Sequence, residues 1–225
     1  MKALTLYFSA TPNNNKMQQP QADQHTNPPP AFANTAFDVV AIAASAGGLK
    51  ALSEVLSHLP SDFPAAVLVL QHLDRSHRSL MADILRRRIS LPIKQTEDGD
   101  KLSPGEVYIA PPDYHVLVNS DGTLSLTQSP IVNFVRPSAD LLLESLANSY
   151  QNRAIAVILT GTGKDGTKGV EAIAKMGGMV ISQNQETSEH FGMPRSAIDT
   201  GIVNLILPLP EIAETLIQLV KEGRG

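Results

Sequence analysis

The sequence contains no cysteine, no long apolar run and no excess of positive charge. Without cysteine, the chain can form neither a disulfide framework nor a thiolate nucleophile. No apolar run approaches the roughly 20 residues that a membrane-spanning helix needs, so we expect no membrane insertion. The formal net charge of -4 gives no electrostatic footprint for nucleic acid. The apolar stretch near the start is short and no cleavage site follows it, so we expect no signal peptide and a cytoplasmic location.

Composition divides the chain into two parts. Most of residues 1–36 is rich in Asn, Gln and Pro and poor in large apolar side chains. Such a segment buries too little surface to offset the entropy cost of ordering it, so we expect a disordered polar tail. Residues 37–225 are long enough for one domain with a sizeable hydrophobic core.

Within this second part, strand-like apolar segments alternate with segments of helical periodicity. The predicted strands of the sheet cover residues 37–44, 65–71, 155–160, 179–182 and 202–207. The predicted helices cover residues 48–59, 79–89, 138–150 with Ser138 as N-cap, 167–176, 194–199 and 210–221. This alternation predicts an α/β fold: a doubly wound, mostly parallel sheet with helices on both faces. Short strands and the turn signal Asp121-Gly122 predict a small antiparallel hairpin insertion near residues 105–128.

Three polar residues stand where predicted strands end. Ser45 follows the first strand and precedes a glycine-rich entry into a helix, and His72 follows the second strand. Asp165 follows the strand at residues 155–160 and a glycine-containing turn. Because the carboxyl ends of parallel strands meet at one edge of a sheet, these side chains are candidates for a nucleophilic hydrolase. The chain order Ser, His, Asp differs from the Ser, Asp, His order of α/β-hydrolases, which predicts a different scaffold.

Simpler interpretations of the same residues stay open at this point. Ser45 and Asp165 are also suitable helix caps, and a single histidine such as His72 is usually structural. A dinucleotide-binding loop is disfavoured, because only two glycines follow the first strand and no acid ends the second. A P-loop is excluded at Lys164, which is not followed by Ser or Thr. His72 and His77 are poorly spaced as ligands, so we expect no metal and no cofactor.

Six ordered segments of the chain form a recognisable set. They are Ala44-Ser45-Ala46-Gly47-Gly48, Gln71-His72, Tyr108-Ile109-Ala110-Pro111-Pro112, Arg136-Pro137-Ser138, Leu159-Thr160-Gly161-Thr162-Gly163-Lys164-Asp165-Gly166 and Gly192-Met193-Pro194-Arg195. Together these segments resemble the catalytic domain of chemotaxis receptor methylesterases, the CheB family. The resemblance covers about residues 37–220. It implies a methylesterase-like catalytic domain in which Ser45 is the nucleophile, His72 the general base and then acid, and Asp165 the group that orients His72.

The resemblance also implies a reaction and a partner. The family hydrolyses methyl esters of glutamate side chains on the cytoplasmic helices of chemoreceptors, and it can deamidate certain receptor glutamines. Most members carry a receiver domain that inhibits the esterase until it is phosphorylated. Residues 1–36 are too few for that domain, so we expect no phosphorylation control in cis. We then expect an esterase that is constitutively uninhibited, or one that a receiver-domain or methyltransferase partner regulates in trans.

Several positions depart from the family pattern and resemble the domains of hybrid methylesterase–methyltransferase proteins. The usual residues are Gly at Ala43, Thr at Ala46, Met-Pro at Leu73-Asp74 and Met at Thr162. The triad positions are intact, and a backbone N–H does not depend on its own side chain. We therefore expect oxyanion or substrate contacts at four positions, which are Ala46, Thr162, Gly163 and Met193. A non-catalytic sensory or docking module, and an esterase for small free esters, are the alternatives.

Overall fold

The structure is a computed structural model, and it describes residues 38–72 and 80–222. The predicted tail at residues 1–36 lies outside the described residues, as do Leu73-Asp74 and His77. The predictions for these residues therefore stay predictions.

The described residues form nine β-strands and six α-helices, which alternate except for four consecutive strands between residues 93 and 127. The strands are β1 Val39–Ala44, β2 Ala66–Gln71, β3 Ile93–Gln95, β4 Val107–Ile109, β5 His115–Val118, β6 Leu124–Thr127, β7 Ala154–Ile158, β8 Met179–Gln183 and β9 Leu205–Leu207. The helices are α1 Gly48–Ser57, α2 Met81–Arg86, α3 Ala139–Tyr150, α4 Thr167–Lys175, α5 Gly192–Ile198 and α6 Leu209–Glu222. A 3₁₀ turn, Gln151–Arg153, connects α3 to β7.

Seven strands form one parallel sheet in the order β3-β4-β2-β1-β7-β8-β9. The remaining two, β5 and β6, form an antiparallel hairpin. The predicted fold class is confirmed, since the sheet is parallel, helices cover it and the insertion is a hairpin.

Two details of the sheet differ from the sequence prediction. Strand β4, which we expected in the antiparallel insertion, pairs parallel with both β2 and β3. All three of its residues are buried, which suits a strand covered on both faces rather than a half-exposed hairpin. Strand β3 was not predicted, because it has three residues and only Ile93 among them is buried. Such a short segment carries no detectable periodicity.

Alternate residues of the central strand β1 face the two layers of the core. Val40, Ile42 and Ala44 pack with the layer that contains α1, α2 and α6. Val39, Ala41 and Ala43 pack with the layer that contains α3, α4, α5 and the hairpin. Because both faces are covered, β1 is apolar at every position and buried throughout.

The strand order changes direction at the middle of the sheet. Strands β2, β4 and β3 lie on one side of β1, and strands β7, β8 and β9 lie on its other side. Open α/β sheets bind ligands in a crevice outside the carboxyl ends of the strands at such a point, so a crevice is expected beyond the ends of β1 and β7. The residues that follow β1, β2 and β7 line the place where a site is expected.

Candidate active site

Ser45 directly follows β1 and lies in the tight turn that leads into α1. Its N–H donates to Thr160 O at 3.0 Å, and its carbonyl accepts a hydrogen bond from Gly48 N at 2.9 Å. Gly47 has a φ of 77°, a conformation that side-chain-bearing residues rarely adopt. A Cβ at Gly48 would lie 1.9 Å from Gln71 Oε1. The backbone path therefore requires glycine both at the N-cap Gly47 and at Gly48, the first residue of α1.

The neighbouring strand β2 brings His72 next to this turn. Ala44 and Gln71 are paired across β1 and β2, so Ser45 and His72 are the next residues on adjacent strands. Adjacent strands lie about 4.8 Å apart. His72 N–H donates to Ala44 O at 3.1 Å, and Gln71 Nε2 donates to Ser45 O at 2.6 Å. Gln71 thus ties the serine turn to the strand that carries the histidine.

His72 and Asp165 are in direct contact, with 2.9 Å between His72 Nε2 and Asp165 Oδ2. Only 10% of the His72 side chain and 4% of the Asp165 side chain are exposed. An ionised carboxylate only accepts hydrogen bonds, so it selects the tautomer protonated at Nε2 and leaves Nδ1 basic. Within the described residues, neither Nδ1 of His72 nor Oγ of the partly exposed Ser45 has a hydrogen-bond partner. The structure thus joins two of the three candidate residues and places the third beside them.

Asp165 also accepts hydrogen bonds from the amino end of α3. Ala139 N donates to Oδ2 at 2.6 Å, and Ser138 Oγ donates to Oδ1 at 2.8 Å. The first N–H groups of a helix have no partner inside it, and the helix dipole favours a negative charge there. Burial alone would raise the pKa of Asp165, but hydrogen bonds from His72, Ala139 and Ser138 outweigh it and hold the pKa below 3.8. The carboxylate is therefore ionised and suited to stabilising a charged His72.

Ser138 occupies the predicted N-cap position of α3, but its hydroxyl makes no bond to its own helix. Asp165 caps the helix instead, and the Ser138 hydroxyl donates to that carboxylate. The Ser138 N–H donates to Nδ1 of buried His115 at 3.1 Å. On the other side of the ring, His115 Nε2 lies 3.2 Å from Pro130 O. Burial lowers the pKa of His115, so this ring is neutral.

Asp140, a buried residue in the first turn of α3, caps the neighbouring helix α4. Its Oδ1 accepts from Gly166 N at 2.9 Å and from Gly169 N at 3.0 Å. Its Oδ2 accepts from Asn133 Nδ2 at 2.7 Å. Burial raises the pKa of Asp140, and the nearby carboxylate of Asp165 adds to this effect. Helices α3 and α4 thus exchange caps, each through an aspartate from the other's segment.

The loop after β7 packs tightly against Ser45. A Cβ at Gly161 would lie 2.4 Å from Met193 Sδ and 2.8 Å from Ser45 Cβ. Met193 is buried, and its N–H donates to Gly161 O at 2.9 Å. The Met193 amide is therefore engaged and is not available to an oxyanion. Its side chain supports the loop beside Ser45.

The other three positions expected to contact an oxyanion or substrate are Ala46, Thr162 and Gly163. Ala46 is partly exposed, and Thr162 and Gly163 are exposed. Their backbone N–H groups have no acceptor in the described part of the chain. Such N–H groups near a nucleophile can stabilise a developing negative charge, so the expected role stays a prediction for these positions.

Sequence reasoning did not find the residues that hold Asp165 in place. It assigned no role to His115, Asn133 or Asp140. The available signal was the acidic residue in the first turn of α3, a position typical of helix capping. That signal does not reveal that the carboxylate caps a different helix.

Metal-ligating side chains are dispersed in the part of the chain that the structure describes. It holds no group of three or more His, Cys, Asp or Glu residues that could bind one metal ion. Similarly, none of the helices in residues 38–72 and 80–222 has the length and hydropathy needed to cross a bilayer.

Comparison with known proteins relates the sequence to one family. The profile of the CheB methylesterase family matches residues 40–216. A protein-glutamate methylesterase/protein-glutamine glutaminase of Thermotoga maritima is 41% identical over 185 residues, which are 81% of this chain and 54% of that protein. The protein-glutamate methylesterase FrzG of Myxococcus xanthus is 40% identical over 201 residues, which are 89% of this chain and 59% of that protein. The chain therefore spans little more than half the length of these curated relatives.

A solved structure agrees with the sequence comparison. The crystal structure of the Thermotoga maritima CheB methylesterase catalytic domain superposes with a TM-score of 0.79 at 40% sequence identity. The superposition covers 83% of this chain and 100% of that one. The likeness thus extends over the whole of that domain and includes the sheet that carries Ser45 and His72.

Proposed function

The chain belongs to the CheB methylesterase family, and from this membership we propose that it is a protein-glutamate methylesterase. In this proposal it hydrolyses methyl esters of glutamate side chains on the cytoplasmic helices of chemoreceptors, and it deamidates glutamine side chains by the same route. The reaction takes place in the cytoplasm, where those helices lie. The observation that carries the proposal is the 2.9 Å hydrogen bond between His72 and Asp165 beside a partly exposed serine.

The first half of the reaction forms an acyl-enzyme on Ser45. Asp165 keeps the His72 ring protonated at Nε2, so Nδ1 takes the proton of Ser45 as its Oγ attacks the ester carbonyl carbon. The backbone N–H groups of Ala46 and Thr162 donate to the carbonyl oxygen as it gains negative charge. When the tetrahedral intermediate collapses, the bond to the methoxy oxygen breaks and Nδ1–H protonates that oxygen. Methanol leaves, and the glutamyl side chain stays esterified to Ser45.

The second half of the reaction regenerates the serine. Nδ1 of His72 takes a proton from water, and the hydroxide attacks the acyl carbon. Collapse of the second intermediate returns the proton to Ser45 Oγ and releases a free glutamate carboxylate. With a glutamine substrate the leaving group is ammonia instead of methanol, and no other step changes. The buried, ionised Asp165 stabilises the imidazolium in both halves.

The test is methanol release from methylated receptor membranes by the wild type, Ser45→Ala and Ser57→Ala. Ser57 is the matched control, because it is an exposed serine at the opposite end of α1. We expect Ser45→Ala to lower kcat at least about 10³-fold, as loss of a nucleophile does in serine hydrolases. Ser57→Ala should keep wild-type kcat, and both variants should keep the wild-type melting temperature.

Two outcomes would replace the proposal with one of its alternatives. Release of methanol from small free esters but not from receptor would indicate an esterase for small substrates. No release from either substrate, together with binding of a receiver-domain or methyltransferase partner in trans, would indicate a non-catalytic docking module. Equal methanol release by wild type and Ser45→Ala would contradict the nucleophile assignment.

A further inference from the structure

His115, the first residue of β5, is a fully buried histidine whose two ring nitrogens both have fixed backbone partners. Nδ1 lies 3.1 Å from the N–H of Ser138, and Nε2 lies 3.2 Å from the carbonyl oxygen of Pro130. One partner is a donor and the other an acceptor. Only the neutral ring protonated at Nε2 satisfies both at once.

This arrangement fixes the backbone of Ser138. An N–H group in a buried site is costly to leave unpaired, so the ring holds Ser138 at one position. Ser138 is the residue before α3, and its hydroxyl donates to Asp165 Oδ1 at 2.8 Å. The next residue, Ala139, donates its N–H to Asp165 Oδ2 at 2.6 Å. The position of Ser138 therefore fixes two of the donors to Asp165, which are the Ser138 hydroxyl and the Ala139 N–H.

We infer that His115 is a positioning residue of the site, which acts through Ser138 to hold Asp165 in hydrogen-bond contact with His72. The inference rests on the proposed function, because it names a supporting residue for the same reaction. His115 touches none of the groups assigned a chemical step. Its contribution is to restrict the carboxylate to the geometry in which His72 keeps its proton on Nε2.

The surroundings of His115 favour this role over simple packing of the hairpin. Val116 and Val118 supply apolar contacts from the same strand, and both belong to the core layer that includes α3. The His115 ring is fully buried, and a buried polar ring costs free energy unless its nitrogens are paired. The pairing is not made within the hairpin: it reaches Ser138 and Pro130, which are 23 and 15 residues away.

Two substitutions of His115 separate its two hydrogen bonds. The amide of asparagine reaches the level of Nδ1, so His115→Asn keeps an acceptor for Ser138 N–H and loses the donor to Pro130. The longer glutamine reaches the level of Nε2, so His115→Gln keeps the donor to Pro130 and loses the acceptor for Ser138. Val116→Ala is the control, because it removes packing from the same strand without touching either hydrogen bond.

The readouts are kcat and KM for methanol release and the ¹⁵N chemical shifts of the His72 ring. We expect His115→Gln to lower kcat about tenfold or more with KM within about twofold, as small misplacements of catalytic groups do. The His72 shifts should then move toward those of a mixture of tautomers. His115→Asn should keep kcat within about threefold and keep wild-type shifts, and Val116→Ala should lose stability without changing either readout.

The inference is overturned if His115→Asn and His115→Gln are equally impaired, or if neither differs from wild type. It is also overturned if Val116→Ala reproduces the effect of His115→Gln, since packing alone would then explain it. A wild type that releases no methanol would refute the proposed function instead. The ¹⁵N shifts need no turnover, so they still decide whether His115 controls the His72 tautomer.

Discussion

Asp165 is surrounded by hydrogen-bond donors on both of its carboxylate oxygens. Oδ2 faces His72 Nε2 and Ala139 N, and Oδ1 faces the hydroxyl of Ser138. Oδ1 also lies 3.4 Å from Asp140 N. No orientation of an uncharged amide satisfies all of these donors, because its NH₂ group would face one of them. Only a charged carboxylate at position 165 therefore accepts hydrogen bonds from all of these neighbours.

Asp165→Asn is therefore expected to reduce both stability and activity. The free energy of unfolding should fall by about 2 kcal/mol or more, since a buried donor loses its acceptor. The value of kcat should fall roughly 10³- to 10⁴-fold, because His72 no longer holds one tautomer. Urea unfolding and methanol release measure the two effects.

The control for this substitution is Asp62→Asn on the exposed turn before β2. It should change stability by less than about 0.5 kcal/mol and leave kcat unchanged. If Asp165→Asn proved as stable as wild type, Asp165 would not be the cap of α3 that the geometry indicates.

At the scale of elements, the turn after β1 and the loop after β7 touch each other with no space between them. Gly161→Ala places a methyl group 2.4 Å from Met193 Sδ and 2.8 Å from Ser45 Cβ. The Met193 side chain can move aside, but Ser45 is held by backbone hydrogen bonds and must shift with its turn. We expect kcat to fall at least about tenfold and stability to fall by about 1–3 kcal/mol.

Gly99→Ala is the matched control for this prediction. Gly99 has a φ of 83° and no heavy atom within 4 Å of an added Cβ, so the substitution introduces strain without a clash. It should cost about 1–2 kcal/mol and leave kcat unchanged. A Gly161→Ala variant with wild-type kcat would mean that the loop adapts without moving Ser45.

The sequence identifies the segments that support the site better than it identifies their mutual contacts. Strands β1, β2 and β7 are apolar apart from Gln71 at the end of β2, so their ends and the polar residues after them could be located. The bond between His115 and Ser138 joins a side chain to a backbone N–H 23 residues away. No local pattern encodes such a contact, because it depends on how the hairpin packs on α3.

At the scale of the whole molecule, the buried His115 makes the free energy of unfolding depend on pH. Its pKa in the folded state is lowered below 6.5, mainly by burial and also by the charge of Arg136, while Pro130 O and Asp165 oppose the shift. Below about pH 6.5 the unfolded chain therefore binds a proton at this residue that the folded chain does not bind. The contribution of His115 to stability is present above that pH and is lost as the pH falls.

His115→Asn should remove this component of the pH dependence. Urea unfolding of wild type and variant between about pH 7.5 and about pH 5 measures the two profiles. We expect the free energy of unfolding of the wild type to decrease more steeply with falling pH than that of the variant. Parallel profiles would show that His115 takes up its proton equally in the folded and unfolded chains.

The exchange of caps between α3 and α4 also changes how an inactive relative of this chain would be recognised. Asp165 accepts hydrogen bonds from the amino end of α3 and lies just before α4, so a descendant without catalysis would lose stability without it. Ser45 is different, because its Oγ makes no hydrogen bond within the described residues and alanine would fit the same turn. Loss of activity during evolution would therefore appear first at the serine, while the aspartate persisted. The presence of the serine hydroxyl at position 45 would therefore indicate catalytic activity on this fold better than the presence of Asp165 does.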